Sequence, residues 1–233
     1  MRSSVEKETE CGITSGFILS GGSIDDDFAM SFLGKEQADG SLSQRLIAAD
    51  RGADFCLRHD LKPEYVLGDF DSANSRTAEY YRRLPGIQFR TYPSEKDQTD
   101  TQLAVELGIE LGWKTITVFG ATGSRLDHVL GNVQVLQYAL DRGTEVLLLD
   151  PHNRIRMVRE RFQLPASEQF GNYISLIPWG GPVEHLTIRG MKYEVTDIVL
   201  KTGDALGISN ECDHGTADIR FERGYLVVVE SRD

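Results

Sequence analysis

The chain is poor in cysteine, in basic charge and in long apolar runs, and each shortage removes a class of protein. Its three cysteines, Cys11, Cys56 and Cys212, are an odd number with no short spacing. They supply neither a disulfide framework nor a zinc signature, and a reducing compartment fits such usage. With 25 Lys+Arg against 36 Asp+Glu, the net charge is −11, which disfavours general binding to nucleic-acid phosphates. The longest apolar runs, such as Tyr225 to Val229 and Val146 to Leu149, are strand-length, short of the ~18 residues a membrane span needs. Met1 to Glu10 is polar and lacks the apolar centre of a signal peptide. The expectation is a cytoplasmic protein with no nucleic-acid or membrane partner.

What is present supports a folded chain of one large or two modest domains: 233 residues, 40% hydrophobic and 26% charged. Up to about residue 150, short apolar runs end at glycine or aspartate and alternate with helical patterns. The runs are Phe17 to Leu19, Arg45 to Ala49, Tyr65 to Leu67, Ile87 to Thr91, Thr115 to Phe119 and Glu145 to Leu149. Leu103, Leu107 and Leu111 recur every four residues before Gly112. Leu126, Val129, Leu130, Val133, Leu136 and Leu140 follow one helix face up to Gly143. Strand–helix alternation predicts a Rossmann-like α/β domain with a mostly parallel sheet over residues 14–150. Beyond Pro151, β-branched and aromatic runs are separated by turn residues such as Pro165, Gly171, Gly180-Gly181-Pro182 and Gly190. They predict a small antiparallel β-sandwich or barrel over 151–233.

In an open parallel sheet, ligands collect at the carboxyl ends of strands. Here the predicted strand ends carry glycines or aspartates: Gly21-Gly22, Asp50, Gly68-Asp69-Phe70-Asp71-Ser72, the segment 94–100, and Gly120 to His128. In extended backbone, i and i+2 side chains point the same way, so Asp69 and Asp71 can converge on one cation. The bland reading is a solvated Asp-rich turn; another is the D-x-D-x-S/T nucleophile motif of aspartyl-phosphate phosphatases. Thr99 and Gln102 have capping-box spacing at the start of the Leu103–Leu111 helix, and Asp100 suits the helix dipole. That leaves Asp97, three residues before Asp100, as a candidate for the same side.

The Gly120-Ala121-Thr122-Gly123-Ser124-Arg125-Leu126-Asp127-His128 turn links strand to helix, where backbone N–H groups suit phosphate. Arg125 adds a fork for phosphate oxygens, and Asp127 can orient it or face a metal. No Lys-Ser/Thr follows the second glycine, so this is not a Walker A loop. Asp25-Asp26-Asp27 reads as a charged helix start, and Ser209-Asn210-Glu211 as a turn between strands.

Together these motifs resemble thiamine pyrophosphokinases, from Gly21-Gly22 through Ala49-Asp50, the Gly68 to Ser72 segment, Lys96 to Asp100 and Gly120 to His128, then Ser209-Asn210 and Gly224 to Asp233. The resemblance implies transfer of diphosphate from ATP to the hydroxyl of thiamine, giving AMP and thiamine diphosphate with Mg²⁺. It also implies a homodimer with active sites between subunits. In that light Asp69, Asp71 and Asp100 are metal ligands, with Asp71, Asp97 and Asp100 catalytic. Asp50, Thr99, Gly120, Gly123, Arg125 and Asp127 bind the nucleotide, and Ser209 and Asn210 bind thiamine. The chain departs from the family at Arg51, where glycine is common, and Glu211 to Gly215 holds no aromatic residue to stack on thiamine. The competing readings are an aspartyl-phosphate phosphatase with Asp69 as nucleophile and a non-catalytic nucleotide or cofactor sensor.

Overall fold

The computed structural model describes residues 14–38, 40–42, 45–69, 75–93, 97–213 and 215–233. Six parallel strands form the first part: β1 (Ser15–Leu19), β2 (Leu46–Ala49), β3 (Tyr65–Gly68), β4 (Gln88–Thr91), β5 (Thr115–Phe119) and β6 (Glu145–Leu149), in the order β4-β3-β2-β1-β5-β6. Between them run α1 (Asp26–Ala38), α2 (Gly52–Arg58), α3 (Ser75–Arg83), α4 (Asp100–Glu110) and α5 (Leu126–Leu140).

Successive residues of a strand point to opposite faces, so a sheet covered on both sides must be apolar at consecutive positions. β1 meets that demand: Ile18 enters a core with Ala104, Val105 and Leu107 of α4 and Val133 and Leu136 of α5, whereas Leu19 enters one with Ala29, Leu33, Phe55 and Tyr81 from α1, α2 and α3. At α1, the Asp25 carboxylate accepts from Phe28 N–H at 2.8 Å. Asp26 pairs with Arg58 and His59, so the acidic run is a helix start.

One expectation about α5 fails. Its buried residues are Asn132, Val133, Val135, Leu136 and Ala139, while Leu126 and Leu130 are 74% and 58% exposed. The first turns of α5 follow the carboxyl end of β5, where His128 and Asn132 face a cavity, and the two leucines turn away from the sheet.

The second part continues the same sheet. β7 (Asn153–Val158) pairs antiparallel with β6 and with β12 (Arg223–Ser231), and β12 pairs with β9 (Tyr173–Arg189). β10 (Val195–Leu200) and β11 (Thr216–Arg220) flank the distal arm of β9, and β8 (Phe162–Pro165) closes the edge on β11. The sequence had suggested two strands broken at Gly180-Gly181-Pro182. Instead one 17-residue strand bends there, with Gly180 at φ 69° and the β12 register shifting between Tyr225↔Trp179 and Arg223↔Glu184. The bend folds the β-rich part over a third core, containing Ile174 and Leu176 from one arm and Val183, Leu186 and Ile188 from the other. β8 was not expected because Pro165 reads as a turn; on an edge strand its missing N–H costs nothing.

Candidate active site

The order β4-β3-β2-β1-β5-β6 reverses direction between β1 and β5, and a crevice outside that point is the standard ligand position of such sheets. A cavity of about 450 Å³ lies there. Its floor is backbone from two strand-end loops. Gly22 N–H donates to Gly120 O at 3.0 Å, and a Cβ added at Gly22 would stand 2.3 Å from that same oxygen. Gly120 has φ 74°, and a Cβ on it would stand 2.8 Å from Ser20 O. Only glycine permits both the conformation and this approach.

Side chains then fill the walls. Asp50, at the end of β2, sits at φ 49°, a conformation rare for non-glycine residues. Its Oδ2 packs so closely on Gly21 that a Cβ there would be 2.8 Å away. The neighbouring Arg51 donates from Nε and Nη2 to Gly21 O at 2.8 and 2.6 Å. Gly68, at φ 150°, lets β3 run against Asp50: its missing Cβ would lie 3.2 Å from Asp50 N, and Asp50 N–H donates to Leu67 O. Asp69 is thereby the residue after the strand beside Asp50. Thr99 is the N-cap of α4, accepting from Gln102 N–H at 3.2 Å. Gln102 turns its side chain to Glu106 at 2.9 Å, so only half a capping box forms. Ser20 and Thr101 share a buried hydroxyl–hydroxyl bond of 2.6 Å that ties the β1 loop to the first turn of α4.

The 120–125 loop is held from behind. Asn132 donates from Nδ2 to Ala121 O at 2.8 Å. Thr122 donates to Asp150 Oδ2 at 2.5 Å, while Asp150 Oδ1 accepts from His152 and Asn153 N–H at 2.7 Å each. Arg125 bonds Asp127 through Nε and Nη2, at 3.2 and 2.5 Å. The guanidinium's hydrogen bond brings the Asp127 carboxyl down to about 2, and the same bond raises Arg125 above its ordinary value.

Of the residues expected from sequence, Asp50, Thr99, Asp100, Gly120, Gly123 and Arg125 line this one cavity. Asp69, Asp97 and Asp127 are outside its lining, and Asp71 lies outside the described residues. Ser209 and Asn210 are in the β-rich part and do not line it either. Asn210 is 4% exposed, with Oδ1 accepting from Tyr193 N–H and Nδ2 donating to Tyr193 O. Sequence reasoning had not placed Ser20, Thr101 or Asn132 at the site. A legible trace existed for Asn132 alone, a polar residue inside an apolar helical period. Among the described residues no three His, Cys, Asp or Glu come together as a metal-holding group. The carboxylates of Asp50, Asp69 and Asp100, on neighbouring strand ends and a helix start, are nonetheless the hard oxygen donors that Mg²⁺ takes.

A mostly parallel sheet covered on both faces, with its cavity where strand order reverses, defines the doubly wound α/β class, here carrying a β-rich C-terminal part. The sequence matches the family model for thiamin pyrophosphokinase, catalytic domain, over residues 41–148, and that for the thiamin pyrophosphokinase vitamin B1 binding domain over 159–226. Thiamine pyrophosphokinase of Bacillus subtilis (strain 168) is 33% identical over 189 residues, 80% of this chain and 87% of that protein. Thiamine pyrophosphokinase 1 of Oryza sativa subsp. japonica is 27% identical, over 76% and 69% of the two chains. The crystal structure of the Bacillus subtilis enzyme superposes with a TM-score of 0.81 at 30% identity, covering 94% of this chain and 99% of that one. Yeast thiamin pyrophosphokinase, at 15% identity and a TM-score of 0.72 over 96% and 88% of the chains, shares the fold. The chain belongs to the thiamine pyrophosphokinase family and is a diphosphotransferase. Among the described residues no helix is long and apolar enough to cross a membrane.

Proposed function

We propose that this protein transfers a diphosphoryl group from ATP to the hydroxyl of thiamine, releasing AMP and thiamine diphosphate in the cytoplasm. The observation that carries this reading is the cavity between β1 and β5, whose floor is glycine backbone and whose walls hold Asp50, Asp100 and Arg125 together. The thiamine oxygen attacks the β-phosphorus, the bond to the α-phosphate oxygen breaks, and the hydroxyl proton leaves to a carboxylate or solvent. Such transfers are dominated by positioning and charge stabilisation.

The chain's groups divide that work. The Gly120 and Gly123 backbone and the Arg125 guanidinium receive phosphate oxygens, with Thr99 and Asp50 fixing the opposite wall and Asp127 orienting Arg125. The carboxylates cannot receive polyphosphate unaided, since two like charges 4 Å apart repel by about 4 kcal/mol at an effective dielectric of 20. Asp69, Asp71 and Asp100 would therefore hold Mg²⁺, which screens the phosphates and polarises their oxygens when bound. Asp71, Asp97 and Asp100 are the catalytic carboxylates, with Asp97 also suited to orienting the thiamine hydroxyl.

Residues 14–150 form the nucleotide and metal part, and 151–233 the thiamine-binding and dimerisation part. Ser209 contacts thiamine from the partner subunit of a homodimer, and Asn210, its amide bonded to Tyr193, serves thiamine binding by holding the turn that presents Ser209. Exposure of Leu126 and Leu130 on the turns of α5 beside the cavity supports an interface there. The decisive experiment incubates the protein with ATP, Mg²⁺ and thiamine and resolves the products. AMP and thiamine diphosphate in equal amounts are expected; ADP with thiamine monophosphate, or phosphate release without thiamine, would overturn the reading.

A further inference from the structure

Arg51 stands in the cavity wall, yet the phosphate chemistry described so far gives it no part. Its surroundings set it apart from the other guanidinium there. Arg125 is neutralised locally by Asp127, its fork occupied by both carboxylate oxygens. Arg51 instead anchors on a neutral atom, with Nε and Nη2 both donating to Gly21 O. Among the described residues no carboxylate pairs with it. Two of its five N–H groups are thus used, and three remain with a full positive charge at the cavity. The anchor removes rotamer freedom that a guanidinium would otherwise lose on binding, so the fork is oriented in advance. It also fastens Gly21-Gly22, the turn whose second residue bonds Gly120 O across the cavity floor.

We propose that Arg51 is a specificity-determining residue for the polyphosphate of the nucleotide, supplying a guanidinium that no carboxylate among the described residues neutralises while locking the Gly21-Gly22 turn beneath it. This rests on the nucleotide reading given above. Lysine at this position keeps the charge but cannot reproduce the fork; alanine removes both.

The test titrates the full-length protein, Arg51→Ala and Arg51→Lys with α,β-methylene-ATP plus Mg²⁺, with inorganic triphosphate plus Mg²⁺, and with thiamine. Arg51→Ala should weaken the nucleotide analogue and the inorganic triphosphate by the same factor, at least tenfold. Arg51→Lys should fall between, and thiamine should stay within twofold. Analogue affinity within twofold of the unaltered protein in Arg51→Ala overturns the inference, as does a loss confined to thiamine. If Arg51→Ala does not fold, analogue binding by Arg51→Lys equal to that of the unaltered protein overturns it. Failure of the unaltered protein to bind the analogue at all overturns the nucleotide reading, and this inference with it.

Discussion

Single atoms decide the floor of the cavity. A methyl group at Gly22 would meet the Gly120 carbonyl at 2.3 Å, backbone against backbone, where nothing flexible can yield. Gly22→Ala should therefore cost about 1–3 kcal/mol of stability and most of the turnover. Gly34, in α1, has nothing within 4 Å of its added Cβ, so Gly34→Ala should instead stabilise by about 0.5–1 kcal/mol with activity intact. Urea titration and initial rates on the two variants check both; a neutral Gly22→Ala would mean that the loops separate easily. Such a contrast is invisible in a string of letters, where both are glycines. What the string did carry was strand-end chemistry: Asp50, Asp100, Gly120, Gly123 and Arg125 were all picked out by following each apolar run to its end. Ser20 and Thr101 were not, because a hydroxyl pair 81 residues apart leaves no local signal. The same limit applied to Arg51, noticed only as an oddity of sequence until its bonds to Gly21 O were seen.

Elements were readable wherever local pattern and tertiary demand agreed. β5, β6 and α5 have the predicted bounds, each being framed by residues that stop it, such as Gly120 and Gly143. β9 was misjudged because Gly180-Gly181-Pro182 specifies a kink, and only the partner strand determines whether the chain then reverses or continues. The link after β8 shows a further effect of partner strands. Glu230 of β12 is fully buried and accepts from Arg154 Nε at 2.9 Å, Arg154 Nη2 at 2.5 Å and Phe170 N–H at 3.0 Å. Phe170 in turn meets Phe28 of α1 edge-on at 6.2 Å, tying the β-rich part to the opposite face of the first sheet. Removing one member of a buried ion pair leaves the other uncompensated, so Glu230→Ala should destabilise by about 3 kcal/mol. A loss below about 1 kcal/mol by denaturant titration would show that water reaches Arg154 freely and that the pair adds little.

At the scale of the molecule, the two halves share walls. Along β12, Leu226 and Val228 enter the core of the β-rich part, while Val227 enters the core beneath α4 and α5, together with Ile155 and Met157 of β7. Alternation along one strand thus feeds two cores. Unfolding should accordingly be a single transition despite the change of architecture near residue 150. Trp113 from the first half and Trp179 from the second both pack on the core beneath α4 and α5, so tryptophan fluorescence reads that core, whereas far-UV circular dichroism also reads the strands of the β-rich part. The urea midpoints by fluorescence and by circular dichroism should agree; separated midpoints would mean independent halves. β12 also sits between β7 and β9, though it leaves the ribosome after both. A growing chain can therefore complete neither the bent sheet nor the wall it shares with the α/β part until residues 223–231 have emerged. Messages that stop before the codon for Arg223 should yield polypeptide for the degradation machinery, whatever is intact at the nucleotide end.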